Sequence, residues 1–181
     1  LSYILIEEWR LIDLLILEIA TINDAQKLVE IQKASFDEES KRFNGNEAGG
    51  PPGYDSSSWQ IEMMENCDYF KIIYNKEIIG GAIVVIESNQ VYNLGRIFID
   101  PRFQNQGMGT KVLKEIEKNY PDSIKWWLDT PNWSTKNHHF YKKCGFIKAG
   151  EDGDLSFSRR SKEKHNNCIS NTLHPKFMFF L

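Results

Sequence analysis

Apolar and polar positions follow two different periods along this chain, and the switches between them mark out its elements. Blocks at 69–74, 78–87 and 91–100 are rich in Tyr, Phe, Ile and Val and are separated only by Asn75-Lys76-Glu77 and Ser88-Asn89-Gln90. Such runs read as three strands joined by short turns, an antiparallel meander. The period then changes: Met108, Val112, Ile116 and Tyr120 recur every four positions, with Lys111, Lys114, Glu115 and Lys118 between them, and Pro121 closes the run. That spacing predicts a helix beginning near Gly107. A buried strand is predicted over 124–129, a helix over 137–143, and strands over 146–151 and 154–158. Upstream, 17–21 reads as a first strand, and Asn23 with Gln26 as a capping-box-like start for a helix carrying Ala25, Leu28, Val29 and Ile31 towards Phe36. A second helix is predicted over 56–66, after a polar loop at 44–58 that holds Gly45, Gly49, Gly50, Pro51, Pro52 and Gly53.

The two ends break this order. Residues 1–17 are rich in Leu and Ile, but Glu7, Glu8, Arg10 and Asp13 interrupt them. A spanning helix needs about 20 largely uncharged residues, and a signal peptide needs a basic start and a small-residue cleavage site. The expectation is a helix or strand packed on the domain or on a partner, with a homodimer contact left open. Beyond Arg159 a polar stretch gives way to His174-Pro175-Lys176-Phe177 and further apolar residues without a period, which suits a solvated tail or extension better than a nucleic-acid patch.

Composition narrows the class. With 181 residues, 41% of them hydrophobic, the chain can bury one core, and no repeat suggests a second domain. A formal net charge of −3 argues against general nucleic-acid binding. Cys67, Cys144 and Cys168 are odd in number, widely spaced and form no CxxC pair. Neither a disulfide framework nor a metal site is expected, and a reduced cytoplasmic setting, with no membrane association, is the simplest reading.

The chemistry centres on Gln104-Asn105-Gln106-Gly107-Met108-Gly109, which lies between the third strand of the meander and an amphipathic helix. The first amides of a helix have no partner within it, and glycines let an anion approach them, so the stretch reads as a phosphate-binding turn. The alternative is a tight strand-to-helix connection. A P-loop is excluded, since Thr110-Lys111 reverses the required Lys-Ser/Thr and the earlier glycine is missing; Val112 stands where a Rossmann fingerprint needs its third glycine. About thirty residues on, Tyr141-Lys142-Lys143-Cys144-Gly145-Phe146 has the form Y-x-x-x-G-F.

Together, Gln104-x-x-Gly107-x-Gly109 after a strand ending in Asp100-Pro101, and the Tyr141-to-Phe146 run, resemble the GNAT superfamily of N-acetyltransferases. The resemblance spans residues 18–158. It implies an α+β fold of three layers, a mixed and mostly antiparallel sheet with helices on both faces. The acetyltransferase domain would occupy 17–158, after an apolar extension (1–16) and before a polar tail (159–181). It also implies acetyl-CoA as co-substrate, its pantetheine arm hydrogen-bonded to the main chain of Ile97, Phe98 and Ile99. The pyrophosphate would rest on amides of Asn105, Gln106, Gly107, Met108, Gly109 and Thr110. Gln104, Asn105 and Gln106 are neutral where many relatives begin with Arg, so backbone dipoles would dominate, with Arg102 or Lys111 as candidate compensating charges. Ser134 and Asn137 are candidate cofactor contacts.

For catalysis, the backbone N–H of Ile99 is the candidate oxyanion donor. Tyr141 is the candidate general acid, a phenol of pKa ~10 being able to protonate a thiolate whose acid lies near ~8.5. Asp129 is the candidate base, directly or through water; capping a turn or orienting an ammonium is the alternative. His138 shares a helical face with Tyr141, and Cys144 lacks an obvious base. Tyr54 and Trp59, in a region that shapes the acceptor site in the family, are candidate acceptor contacts, and Asp37, Glu38, Glu39 and Asp55 would attract a cation. The implied function is acetyl transfer from acetyl-CoA directly to a primary amine, preferably of a small molecule. The alternative is a non-catalytic acyl-CoA-binding or sensing domain on the same fold. Neither the acceptor nor the oligomeric state follows from the sequence.

Overall fold

Thr21 fixes where the first helix begins. Its backbone N–H and its hydroxyl both donate to the Asp24 carboxylate, at 2.8 and 2.9 Å, and a 3-10 turn (Ile22–Asp24) leads into helix α1 (Ala25–Asn44). The box is therefore Thr21-x-x-Asp24, two residues ahead of the expected Asn23 and Gln26. The computed structural model describes residues 14–44 and 47–162. The expectations for the extension up to residue 13, for Cys168 and for the tail beyond 162 lie outside the described residues.

Strand β1 (Leu15–Ile19) precedes α1, and helix α2 (Ser57–Asn66) follows the loop, its N-cap Ser56 accepting from the N–H of Trp59 at 3.2 Å. The meander is β2 (Asp68–Tyr74), β3 (Glu77–Ser88) and β4 (Val91–Ile99). Asn75 and Lys76 both have positive φ, the pairing a tight hairpin turn requires to match strand twist. Helix α3 (Met108–Asn119), strand β5 (Lys125–Pro131), helix α4 (Thr135–Lys143) and the hairpin β6 (Ile147–Asp152) and β7 (Leu155–Ser161) complete the chain.

The seven strands form one sheet in the order β1-β2-β3-β4-β5-β7-β6, antiparallel except between β4 and β5. Alternation along each strand supplies two apolar faces. Ile72, Val84, Leu94 and Leu128 pack with Val112 and Ile116 of α3 on one; Tyr69, Ile83 and Phe98 pack with Leu28, Ile31 and Phe36 of α1 and Met63 of α2 on the other. Each such buried aliphatic or aromatic side chain contributes about 1.5–3 kcal/mol relative to exposure. The fold is three-layered α+β, as expected.

One irregularity positions everything that follows. Strands β4 and β5 pair only at Val91 with Lys125, Tyr92 with Trp126 and Asn93 with Trp127. Just beyond, the β3 register jumps from Leu94 to Arg96 and skips Gly95. A bulge there bends β4, and glycine tolerates it. Strand β5 continues along β7 to Pro131, so β4 and β5 part and a gap opens in the middle of the sheet.

Candidate active site

The gap leads into a cleft of about 360 Å³ whose walls come from α1, β4, the start of α3 and α4. At the α3 wall, Asn105 and Gly107 both lie in the left-handed region, at φ 60 and 77, and Gly107 is the N-cap. The first bond of the helix runs from Lys111 N–H to Gly107 O at 3.2 Å, so the amides of Met108, Gly109 and Thr110 have no partner within it. Gly107, Met108, Gly109, Thr110 and Asn105 all line the cleft, whereas Gln106 is turned to the Arg102 carbonyl at 2.9 Å. Gly109 is required for a different reason: a Cβ there would lie 2.9 Å from the Phe140 ring, which packs α4 against α3.

The β4 wall follows from register. Asp100 N–H donates to Ile79 O at 2.7 Å, and hydrogen-bonded pairs alternate along an antiparallel ladder. Phe98, opposite Gly81, therefore directs its main chain to β3, while Ile97 and Ile99, opposite Ala82 and Gly80, direct theirs into the gap. Of the three expected pantetheine contacts, the register leaves Ile97 and Ile99, and Phe98 contributes only its side chain. The carbonyl of Ile99 already accepts from Gln104 Nε2 at 2.9 Å; its N–H remains directed into the gap.

The α4 wall carries Tyr141, 2% exposed, and explains the Y-x-x-x-G-F pattern in structural terms. Gly145 has φ 86; its N–H bonds to Lys142 O and that of Phe146 to Tyr141 O, both at 3.0 Å, a Schellman cap. The accompanying apolar contact is the Tyr141 ring on the Phe146 ring at 5.7 Å. Backbone and ring of Tyr141 thus serve the cap, and the hydroxyl is what remains for chemistry. Burial pushes its pKa well above the usual value, and the charges of Glu39 and Asp129 act in the same direction.

Two residues of this wall join other elements. Ser134, the N-cap of α4, donates from Oγ to Glu39 Oε1 at 2.6 Å, and Asn137 Nδ2 donates to the same oxygen at 3.1 Å. Asn137 lines the cleft; Ser134 is 3% exposed and does not. Lys136 Nζ donates to Gln104 Oε1 at 3.0 Å, and burial lowers its pKa. Glu39 and Lys136 both line the cleft; sequence reasoning named Glu39 only as one of four acids that would attract a cation, not its tie to α4, and did not name Lys136. A signal for Glu39 existed: it extends the buried stripe of α1 formed by Leu28, Gln32 and Phe36, where a charge is out of place.

Other expected residues lie elsewhere. Asp129 does not end β5; it sits inside the strand opposite Phe157, 4% exposed, on the face of Arg96 rather than on the cleft wall. Burial raises its pKa to about 7, its own backbone N–H and Arg96 working the other way. Tyr54 and Trp59 are not among the cleft-lining residues either. Tyr54 donates to Asp37 Oδ1 at 3.1 Å, and Trp59 lies under the buried Arg96 guanidinium at 4.0 Å. Arg96, a charge inside an apolar strand, also lies over Phe36, and burial lowers its pKa to about 10. Arg102 pairs with Asp100 and Glu77, and Lys111 lies over Tyr74, so neither compensates the neutral loop. His138 is bonded to Pro131 O at 3.0 Å, and burial raises the Cys144 thiol pKa. Among the described residues no group of three or more His, Cys, Asp or Glu side chains is placed to hold a metal, and no helix is long and apolar enough to cross a membrane.

The arrangement therefore offers an anion-accepting helix start with Lys136 bonded to the Gln104 side chain at the head of its loop, an open strand edge, a buried phenol and a held carboxylate. It matches known proteins in fold and in sequence. A YrkN protein of Bacillus subtilis, uncharacterised, is 37% identical over 79 residues, 42% of this chain and 43% of that protein, so the chain matches less than half of that relative's length. The PaiA N-acetyltransferase of Thermoplasma acidophilum, solved with coenzyme A, superposes with a TM-score of 0.70 at 16% identity, covering 82% of this chain and 99% of that one. The ribosomal-protein-S18-alanine N-acetyltransferase of Escherichia coli superposes with a TM-score of 0.63 at 14% identity, covering 87% of this chain and 99% of that one. Residues 26–146 match the Acetyltransferase (GNAT) family, and with that match spanning most of the chain the protein belongs to the GNAT family.

Proposed function

We propose that the protein transfers the acetyl group of acetyl-CoA directly to a primary amine of a small molecule. One arrangement carries this reading: β4 and β5 part beside the open N-terminus of α3, with Tyr141 in the wall of the gap. The residues fit the co-substrate. Gly107 in the left-handed region opens the loop amides, and a Cβ there would meet nothing within 4 Å. The amides from Asn105 to Thr110 would hold the pyrophosphate, and Lys136 supplies the positive charge that Gln104 lacks. The exposed main chain of Ile97 would take the pantetheine amides as an added strand.

Acetyl-CoA supplies an acyl group on a thiol leaving group. The Ile99 N–H, facing the gap, would donate to the thioester oxygen as it gains charge, and Tyr141 would hold a proton at its phenol oxygen for the departing thiolate. Its raised pKa keeps it protonated until that moment. A small acceptor is favoured because Glu39 ties α1 to Ser134 and Asn137 across the cleft, which narrows access for a folded chain end. The test is thiol release from acetyl-CoA across monoamines, polyamines, aminoglycosides, amino acids and N-terminal peptides, with CoA binding by calorimetry on the same sample. Turnover with a small amine is expected. Binding without turnover on any of them would favour an acyl-CoA sensor, and no CoA binding would overturn the reading of the loop.

A further inference from the structure

Among the described residues, Glu39 is the only carboxylate lining the cleft, and it is held as a working group would be. Its Oε1 accepts from Ser134 and Asn137, while Oε2 accepts no hydrogen bond among the described residues. An ionised carboxylate can accept roughly four hydrogen bonds. Half of that capacity is used by two donors from a helix on the opposite wall, and the other half is available. The neighbouring acids of α1 are committed elsewhere: Asp37 binds Lys33 and Tyr54, and Glu38 binds Arg42. Asp129, the other carboxylate near Tyr141, is not on the cleft wall.

Building on the acetyltransferase reading, we propose that Glu39 is the acceptor site: its carboxylate binds the substrate's ammonium and takes the proton that must leave before attack. The balance is simple. Oε2 accepts one proton from R–NH3+, leaving R–NH2 with its lone pair. The amine nitrogen then bonds to the acetyl carbon as the carbon–sulfur bond breaks with its electron pair on sulfur. Tyr141 gives its proton to that sulfur and regains one from the nitrogen, directly or through water. Ser134 and Asn137 are positioning residues, since they touch Glu39 and not the acceptor. The acceptor class that follows is a primary alkylamine carried as a cation, with no carboxylate beside the amine, because a second anion against Glu39 would be repelled.

The experiment compares wild type with Glu39→Gln and Glu39→Ala, using ethylamine-type monoamines, diamines and α-amino acids with acetyl-CoA. Gln keeps an oxygen to accept from Ser134 and Asn137, so the tie between α1 and α4 persists while the charge is lost. The proposal requires Glu39→Gln to lower kcat/KM for amines by about a hundredfold with KM for acetyl-CoA and melting temperature unchanged, and wild type to prefer amines over α-amino acids. Wild-type activity that survives Glu39→Gln overturns this proposal alone, as does rescue of activity only in step with thermal stability. A wild type that binds CoA yet acetylates no amine overturns it together with the acetyltransferase reading.

Discussion

Lys136 of α4 donates to the side-chain carbonyl of Gln104, 3.0 Å away, and so brings a positive charge to the start of a loop whose own side chains are neutral. The two are 32 residues apart in sequence and meet only because α4 closes the cleft. An ammonium beside unpartnered amides strengthens an anion site through charge-assisted bonds. Lys136→Ala is therefore expected to weaken CoA binding about tenfold, with a reduced dependence on salt. Lys136→Arg should retain most of the affinity. Calorimetry at two ionic strengths decides it; equal affinity in Ala and wild type would leave the loop amides as sole anion ligands.

Tyr141→Phe isolates the hydroxyl, because the ring contacts with Phe140 at 5.0 Å and Phe146 at 5.7 Å remain available to Phe. The hydrogen bonds of the Schellman cap use only backbone atoms of Tyr141 and are also kept. A lost general acid lowers turnover by about 10² or more. The expected result is that loss in kcat with unchanged CoA affinity and melting temperature. Full activity would assign Tyr141 to the cap alone.

What was legible in the sequence was local. The α3 stripe of Met108, Val112 and Ile116, the second helix near 56–66 and the two hairpin turns each depend on residues a few positions apart, and the structure has them there. The start of α1 was misread because a 3-10 turn precedes the helix, shifting the box to Thr21 and Asp24. The site divides the same way. Gly107 and Tyr141 announce themselves by spacing, but Glu39 meets Ser134 across 95 residues, a contact no local pattern encodes. Tyr54 and Trp59 are acceptor candidates only through the region they share with the family's acceptor site, and each is committed elsewhere: Tyr54 donates to Asp37, and Trp59 serves Arg96, a buried guanidinium that needs aromatic faces and polar partners around it.

Two glycines of the loop should fail differently. At Gly107 a Cβ meets nothing, so Gly107→Ala is charged only for the left-handed backbone, about 1–2 kcal/mol. Gly107→Asn should cost less, since Asn tolerates that region. At Gly109 the backbone is helical and the obstacle is the Phe140 ring, itself a cleft wall. Gly109→Ala should displace that ring and weaken CoA binding more than Gly107→Ala does, at a smaller or similar loss of stability. Denaturation and calorimetry on both variants check the crossover; equal ranking in both assays would contradict it.

Asp129 provides a test through pH. Its folded pKa, raised by burial to about 7 from 3.8, means that the folded state holds this proton more tightly than the unfolded chain. The stability it contributes is fully present below the unfolded value and is lost as pH rises through about 7. Between pH 5 and pH 8 that loss amounts to roughly 2–3 kcal/mol for this group. Asp129→Asn removes the titration, so its unfolding free energy should fall less over that interval than that of wild type. If attraction to Arg96 outweighed burial, the folded pKa would lie below the unfolded one and wild type would show no such excess loss. The same variant also reports on catalysis. With Glu39 receiving the acceptor's proton, Asp129→Asn should keep most of the wild-type kcat/KM while Glu39→Gln loses about a hundredfold, and the reverse ranking would return the base to β5.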